Sequence, residues 1–567
     1  MLIDGIAGLA GRKAPVVVIG SGPVGLALAT ELAAQGISVI VLESGGVRAE
    51  ERVQALSDAE IVDPDFHDPM NISVARRLGG TSNLWGARCL PFDPIDFAAR
   101  PFVDARWPVS YDDLKPYWAR AVAATASGAA DYAEGALAHA LDLPEEADDA
   151  FCADRLERWA NVQAAQDVHR DAIHASPLIE VRMHATAIDM EFAEDGRLEA
   201  IHVAHSLSGE RARLAIDRLV IAAGGIETTR LLMAAQRAAP ERFGGEDGPL
   251  GRYYMGHLMG EIADIVFEKP EQVRAFGFMV DRHGSYVRRR IVPSDSTQMQ
   301  HGLLNSAFWP VVPPIADARH HNAALSLVYL AIAFPPLGRK LVAEAIRRRH
   351  IPAEKVPILP HIGNVVTSLP ESARFGIDYL RKRRAKDTRL PGVFLENSAN
   401  RYGLGFHSEQ VPQTNSRVRM LRKSDRLGLP SLSVDLRFCE QDVASLVRTH
   451  DLLEKWLTNT RVARIEYRMA REERHEAVLS RISHGTHQIG LARMGETRRA
   501  AVVDRDLRCF DTPNLYLASC AVLPTSGQAN PTLTAIALTV RLADHLRAEI
   551  SFAKPVELAR CLDDRVA

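Results

Sequence analysis

The feature that most constrains this chain lies at its start. Residues 16–19 read VVVI, a short, wholly apolar run, and Gly20-Ser21-Gly22-Pro23-Val24-Gly25 follows at once. An unbroken apolar run of that length suits a strand buried on both faces in a parallel sheet. Val24, Ala27, Leu28 and Leu32 then fall on one face at helical spacing, and Gly36 ends the helix. A second apolar run, Val39 to Leu42, closes on Glu43 and Ser44. The parts serve one purpose. Gly20 allows the tight turn, Gly22 lets a pyrophosphate approach the backbone, and Gly25 lets the helix pack close to the strand. The helix start, with Pro23 in its first turn, presents unpaired N–H groups and a partial positive charge to phosphates. Glu43 stands 18 residues past Gly25, where an acid accepts from ribose hydroxyls. The ordered succession predicts dinucleotide binding. The motif alone does not separate FAD from NAD.

The rest of the composition narrows the class. At 567 residues the chain is too long for one compact core, so two joined domains are expected. A net charge of −3 without a clustered basic excess argues against nucleic acid as a partner. Cys89, Cys152, Cys439, Cys509, Cys520 and Cys561 are scattered, with no CxxC pair, and read as thiols rather than disulfides or zinc ligands. The histidines likewise show no metal-binding spacing, so no metal is predicted. No run reaches about 18 apolar residues, which predicts no transmembrane segment. The N-terminus lacks the pattern of a signal peptide, and a cytoplasmic location is the expectation.

Three further segments carry chemistry. Residues 76–92 read RRLGGTSNLWGARCLPF, and their glycines permit close approach to a flat ligand. Residues 219–232, LVIAAGGIETTRLL, read as a buried strand, a Gly-Gly turn and a helix. Near the C-terminus come HQIGLARMG at 487–495 and VVDRDLRCFDTPNLYLASCAVLPTSGQANPTLTAIALTVRLADHL at 502–546. Pro531 suits the first position of a helix, whose free N–H groups would favour negative charge nearby.

These segments, with PFDPIDF and WPVSYDDLKPYW at 107–118, resemble the glucose–methanol–choline (GMC) oxidoreductases, most of all the branch of pyranose oxidase and the bacterial sugar dehydrogenases. The resemblance implies an FAD-dependent enzyme that oxidises an alcohol, most simply a sugar, glycoside or polyol hydroxyl. It implies that His487 and Asn530 are the catalytic pair. A base must take the hydroxyl proton as hydride leaves the carbon, and histidine titrates near neutrality. Flavin contacts are implied at Gly80, Ser82, Asn83 and Trp85, at Ala223 and Gly224, and at Ser519, Asn530, Pro531 and Thr532. Some relatives attach FAD through a histidine in the first loop. Here Leu84 takes that place, and non-covalent FAD is expected. GRYYMGHLMG at 251–260 resembles a further family motif, with Gly256 where an acid often precedes the histidine. His407 is read as either a pocket-lining or a loop residue, and His484 as structural or solvent-facing rather than touching substrate.

The predicted fold is α/β. A Rossmann-like FAD domain is assembled from residues 12–255 and 481–552, and a substrate domain with an antiparallel sheet occupies 256–480. Within the latter, 336–390 is basic and partly amphipathic, with RKLVAEAIRRRH and RFGIDYLRKRRAKDTR. It reads either as solvated helices or as a surface for a membrane, quinone or redox partner, or a lid. PEEADD at 144–149 reads as an exposed turn. The electron acceptor is left open among oxygen, quinone and a redox protein, and a homo-oligomer is compatible with the sequence. A lyase with structural FAD, or oxidation of a steroid or aliphatic alcohol, are the competing functions.

Overall fold

In a computed structural model of the chain, the described residues are 1–563 without 138–147, 343–346, 348–349, 352–355, 368–369, 371–372, 374–375, 378, 382–387, 393, 397–398 and 481–484. His484, most of PEEADD and much of the two basic stretches therefore lie outside the described residues.

The α/β fold is present, with separated stretches of chain building one parallel sheet. Its six strands run in the order Leu2–Asp4, Ile179–Met183, Val39–Leu42, Val17–Ile19, Leu219–Ile221, Leu515–Leu517. Each adjacent pair is parallel. Val17–Ile19 and Val39–Leu42 are buried throughout, as unbroken apolar runs require. The sheet reverses its winding direction beside Val17–Ile19, where the chain leaves for a neighbour on either side. That switch point lies outside the carboxyl ends of the strands, where open α/β sheets bind ligands. Helices Pro23–Ala34 and Thr532–Asp563 pack together over the sheet. The first is apolar all round because it is covered on more than one side, and Leu26 and Ala29 are buried with the predicted face.

The second large sheet has a path of Ala463–Tyr467, Leu258–Phe267, Arg401–Ser408, Ser306–Val311, Tyr286–Pro293, Phe151–Trp159 and Arg88–Cys89. Its pairings are antiparallel. Two of its strands come from the segment before residue 256, and Leu2–Asp4 joins the parallel sheet from before residue 12. The sheets thus cross the boundaries drawn from the sequence, because strand pairing here is set by long-range register and not by contiguity. Five cysteines, Cys89, Cys152, Cys439, Cys509 and Cys520, are free thiols.

Candidate active site

The glycine turn does what its residues suggest. A Cβ on Gly25 would meet the Gly20 carbonyl oxygen at 2.0 Å, so only glycine lets the helix approach this closely. Gly20 has φ +100° and lies against the Ala222 carbonyl. Gly22 faces open space, with nothing within 4 Å of where a Cβ would stand, and it leads directly into helix Pro23–Ala34. A glycine with an open face at a helix start at the switch point is a cradle for a pyrophosphate. Glu43 is buried beside it and accepts from the Ser21 N–H at 3.0 Å, the Ser21 hydroxyl at 2.6 Å and the Gly45 N–H at 2.8 Å. Ser44 Oγ lies 2.6 Å from Thr186 Oγ1 and accepts from Arg76 at 3.0 Å.

The loop 76–92 folds onto that turn. Gly79 N–H donates to the Ser21 carbonyl at 3.1 Å, and a Cβ on Gly80 would meet Gly22 Cα at 3.0 Å. The side chains expected to touch flavin are largely committed to the loop itself. Ser82 donates to the Gly79 carbonyl at 2.6 Å and accepts from Ala165 N–H at 2.9 Å. Asn83 donates to the Leu78 and Gly80 carbonyls at 3.0 and 2.8 Å, and Trp85 donates to the Gln163 carbonyl at 2.6 Å. What this loop offers a flavin is therefore mainly its backbone.

The C-terminal segments converge with two elements from the middle of the chain. Met255 and Ile489 exchange backbone hydrogen bonds at 3.0 and 3.1 Å as an antiparallel bridge. Two residues further on, His257 is set opposite His487, with Nδ1 facing Nδ1 at 2.9 Å. Gln488 accepts from Ile226 N–H at 3.0 Å and so ties the segment carrying His487 to the start of helix Gly225–Ala238, beside Ala223 and Gly224. Asn530 Nδ2 lies 3.1 Å from His487 Nε2, which brings the two predicted residues together. Residues 526, 528 and 530 each meet one histidine. The Ser526 carbonyl is 3.1 Å from His257 Nε2, the Gln528 carbonyl accepts from His407 Nδ1, and Asn530 faces His487. Ser519 caps the short turn Cys520–Val522 by accepting from Ala521 N–H at 3.3 Å. Helix Thr532–Asp563 begins one residue later than expected. Pro531 is its cap, and its carbonyl accepts from Ala535 N–H at 3.0 Å.

His407 is not a loop residue. It is fully buried in strand Arg401–Ser408, and its ring stacks on His257 with centroids 4.2 Å apart. The pocket-lining alternative is thus the one that fits His407, while His257 was not expected to adjoin the pair, since no sequence spacing links segments so far apart. Together the three imidazoles could offer nitrogens to a metal ion. The Nδ1 atoms of His257 and His487 are only 2.9 Å apart, closer than the roughly 3.3 Å that two tetrahedral ligands at about 2.0–2.1 Å from zinc would keep. The contact is a hydrogen bond.

The electrostatics follow from depth and from one arginine. Burial, and then the nearby Arg88 guanidinium, hold His487 down at about 4, although its ring keeps some accessible surface. His407 is held well below its ordinary value by burial and by His257, Arg88 and His487. Arg88 and Arg288 share the buried carboxylate of Glu157, at 2.5 and 2.6 Å, and both guanidinium groups lie over Trp309 at 4.7 Å. Trp309 pairs with Gly405, two residues from His407, so it lies on the same face of the sheet.

Comparison with known proteins settles the class. Residues 13–56 match an FAD binding domain, and residues 412–539, which include His487 and Asn530, match the C-terminal part of the GMC oxidoreductases. The chain is a GMC oxidoreductase. It is an FAD-dependent enzyme acting on CH–OH groups. This GMC oxidoreductase is 24% identical over 604 residues to 2-methyl-1,2-propanediol dehydrogenase of Mycolicibacterium austroafricanum, covering 94% of this chain and 95% of that one. It is 22% identical over 591 residues to paromamine 6'-oxidase of Streptomyces fradiae, covering 94% and 91%. Its fold is that of pyridoxine 4-oxidase from Mesorbium loti, with a TM-score of 0.53 at 15% identity, covering 94% and 99%. No single helix among the described residues is long and apolar enough to cross a membrane.

Proposed function

We propose that this enzyme oxidises a hydroxyl of a polyol or sugar to a carbonyl, with non-covalent FAD as hydride acceptor, His487 as base and Asn530 as the group that holds the oxygen. One observation carries the reading: the hydrogen-bond chain leaves His487 Nε2 as an acceptor. The Ser526 carbonyl only accepts, so His257 Nε2 carries a hydrogen. The Nδ1 of a neutral His257 then accepts, and His487 Nδ1 must be the donor between them. Nε2 of a neutral His487 is left with its lone pair toward Asn530, whose amide N–H it takes at 3.1 Å. A substrate hydroxyl entering between them donates to Nε2 and accepts from the Asn530 amide. Asn530 Oδ1 is buried without a partner, and so is free to take a neighbouring hydroxyl of a diol or sugar.

Proton transfer to Nε2 then leaves alkoxide character on the oxygen, from which hydride departs far more readily. FAD, when bound, supplies the two-electron acceptor. The imidazolium that forms keeps its Nδ1–H bond to His257, which orients the ring throughout. A covalent flavin link through Cys89 is disfavoured, because burial pushes that thiol up to about 12 and leaves no reactive thiolate. The diol and amino-sugar names of the two full-length relatives support a polyhydroxylated substrate. A steroid, with one hydroxyl, would leave Asn530 Oδ1 unused.

The test is anaerobic mixing of the flavin-loaded protein with diols, sugars, glycosides and simple alcohols. Bleaching of the yellow band by polyols, with simple alcohols slower by about tenfold or more, is the expected result. Flavin that stays oxidised with every alcohol, while a hydroxynitrile is cleaved, would replace oxidation with lyase chemistry.

A further inference from the structure

Helix Ile358–Thr367, ILPHIGNVVT, is built inside out. Its His361 and Asn364 side chains face the protein. His361 is fully buried, stacks on Tyr329 at 4.2 Å and lies 3.1 Å from Ser326 Oγ, while Asn364 donates to the Ala318 carbonyl at 2.9 Å and to Ser326 Oγ at 3.0 Å. Its apolar side chains face out. Leu359, Ile362 and Val366, spaced as one helical stripe, are 80%, 43% and 65% exposed. A helix at the surface of a water-soluble domain turns its apolar stripe inward, so this arrangement requires a non-aqueous neighbour. The feature extends beyond one helix. Ala323–Ala333 and Pro335–Leu341 form an apolar pair bent by 105°, and Phe334 at the bend is 61% exposed.

We infer that these helices dock the enzyme on the surface of an anionic lipid bilayer, with the outward stripe of Ile358–Thr367 and the bend at Phe334 seated among the acyl chains. Charge selects the occupant. Residues 336–390 contain thirteen Lys and Arg against five Asp and Glu, a surplus of eight in a chain whose net charge is −3. The remainder of the protein is therefore acidic, by a net eleven. A molecule with this division of charge along its sequence is drawn to an anionic surface through its basic segment and repelled through the rest. Exposed Arg339 and Lys340 would bring like charges together if two copies met through this face, and the stripe itself carries no charged group with which to register a protein partner. Exposed Arg339 and Lys340 lie one turn beyond Phe334 and Leu337, where headgroup phosphates would meet them. The inference is independent of the reading of the active site.

The experiment is flotation of the flavin-loaded protein with vesicles of phosphatidylcholine alone or with about one-third phosphatidylglycerol, at low and high salt. The protein should float with the anionic vesicles, at least about tenfold more tightly than with neutral ones, and salt should weaken this without abolishing it. The double variant Leu359→Glu/Val366→Glu should stay at the bottom while keeping its flavin and its activity with a dye acceptor. Arg339→Gln/Lys340→Gln should float less, with a shallower salt dependence. Wild type that floats with neither vesicle overturns the proposal, as does a double variant that floats unchanged. A protein that ignores vesicles but runs as a dimer split by the double variant also overturns it, and makes the face a contact between copies.

Discussion

The two walls that meet at His487 are made of different material. On the parallel-sheet side the groups on offer are backbone ones: the open face of Gly22, the start of helix Pro23–Ala34, and a loop whose polar side chains are spent on holding its own shape. On the antiparallel side the groups are side chains, with Arg88, Arg288, Trp309, His257 and His407 gathered on and beside one sheet face. The contrast teaches how the fold divides its work. A cofactor of fixed shape is held by backbone geometry, which tolerates little change. The substrate side rests on side chains that can be exchanged one at a time.

That division can be broken from either side, and the largest effect should come from the backbone wall. Gly25→Val would drive a side chain into the Gly20 carbonyl, now 2.0 Å from the Cβ position. The expected outcome is protein that purifies colourless, read from the ratio of flavin to protein absorbance. On the side-chain wall, His257→Leu should leave the His487 Nδ1–H without an acceptor. That costs about 1–3 kcal/mol, or roughly five- to 150-fold in the rate of flavin reduction, with flavin content intact. His257→Asn keeps an acceptor oxygen near the place of Nδ1 and should recover most of the rate, which a merely space-filling role would not explain. The smallest effect is expected at Arg88, whose charge disfavours the imidazolium of His487. With His487 as the proposed base, activity should fall as pH drops through its pKa of about 4. Arg88→Met removes the repulsion, raises that pKa and moves the acid limb of the rate profile to higher pH. Glu157 keeps Arg288 as its partner, so the fold should survive the change.

The same contrast explains what could be read from the sequence. The cofactor wall is local: Val17–Ile19, the glycines and helix Pro23–Ala34 occupy consecutive residues, so apolar runs and turn chemistry reveal them. His487 and Asn530 were found through likeness to a family, and their meeting at 3.1 Å is a property of the fold alone. His257 escaped, and His407 stayed open between loop and pocket, because their positions depend on strand register, with Met259 opposite His407 and Met255 opposite Ile489. In GLGFHS the two glycines also hide the alternation that marks a strand. The polar inner face of Ile358–Thr367 was invisible for the opposite reason. Its periodicity is that of any amphipathic helix, and only the packing of His361 against Tyr329 shows which side is inside.

The central claim is that an imidazole accepting through Nε2 removes the proton while hydride leaves the carbon. The direct measurement is stopped-flow reduction of the bound flavin by a reactive alcohol, without oxygen, in the wild type and in His487→Ala. Equal flavin content is expected in the two proteins, with reduction slower by about a hundredfold or more in the variant. Equal rates in the two proteins would contradict it.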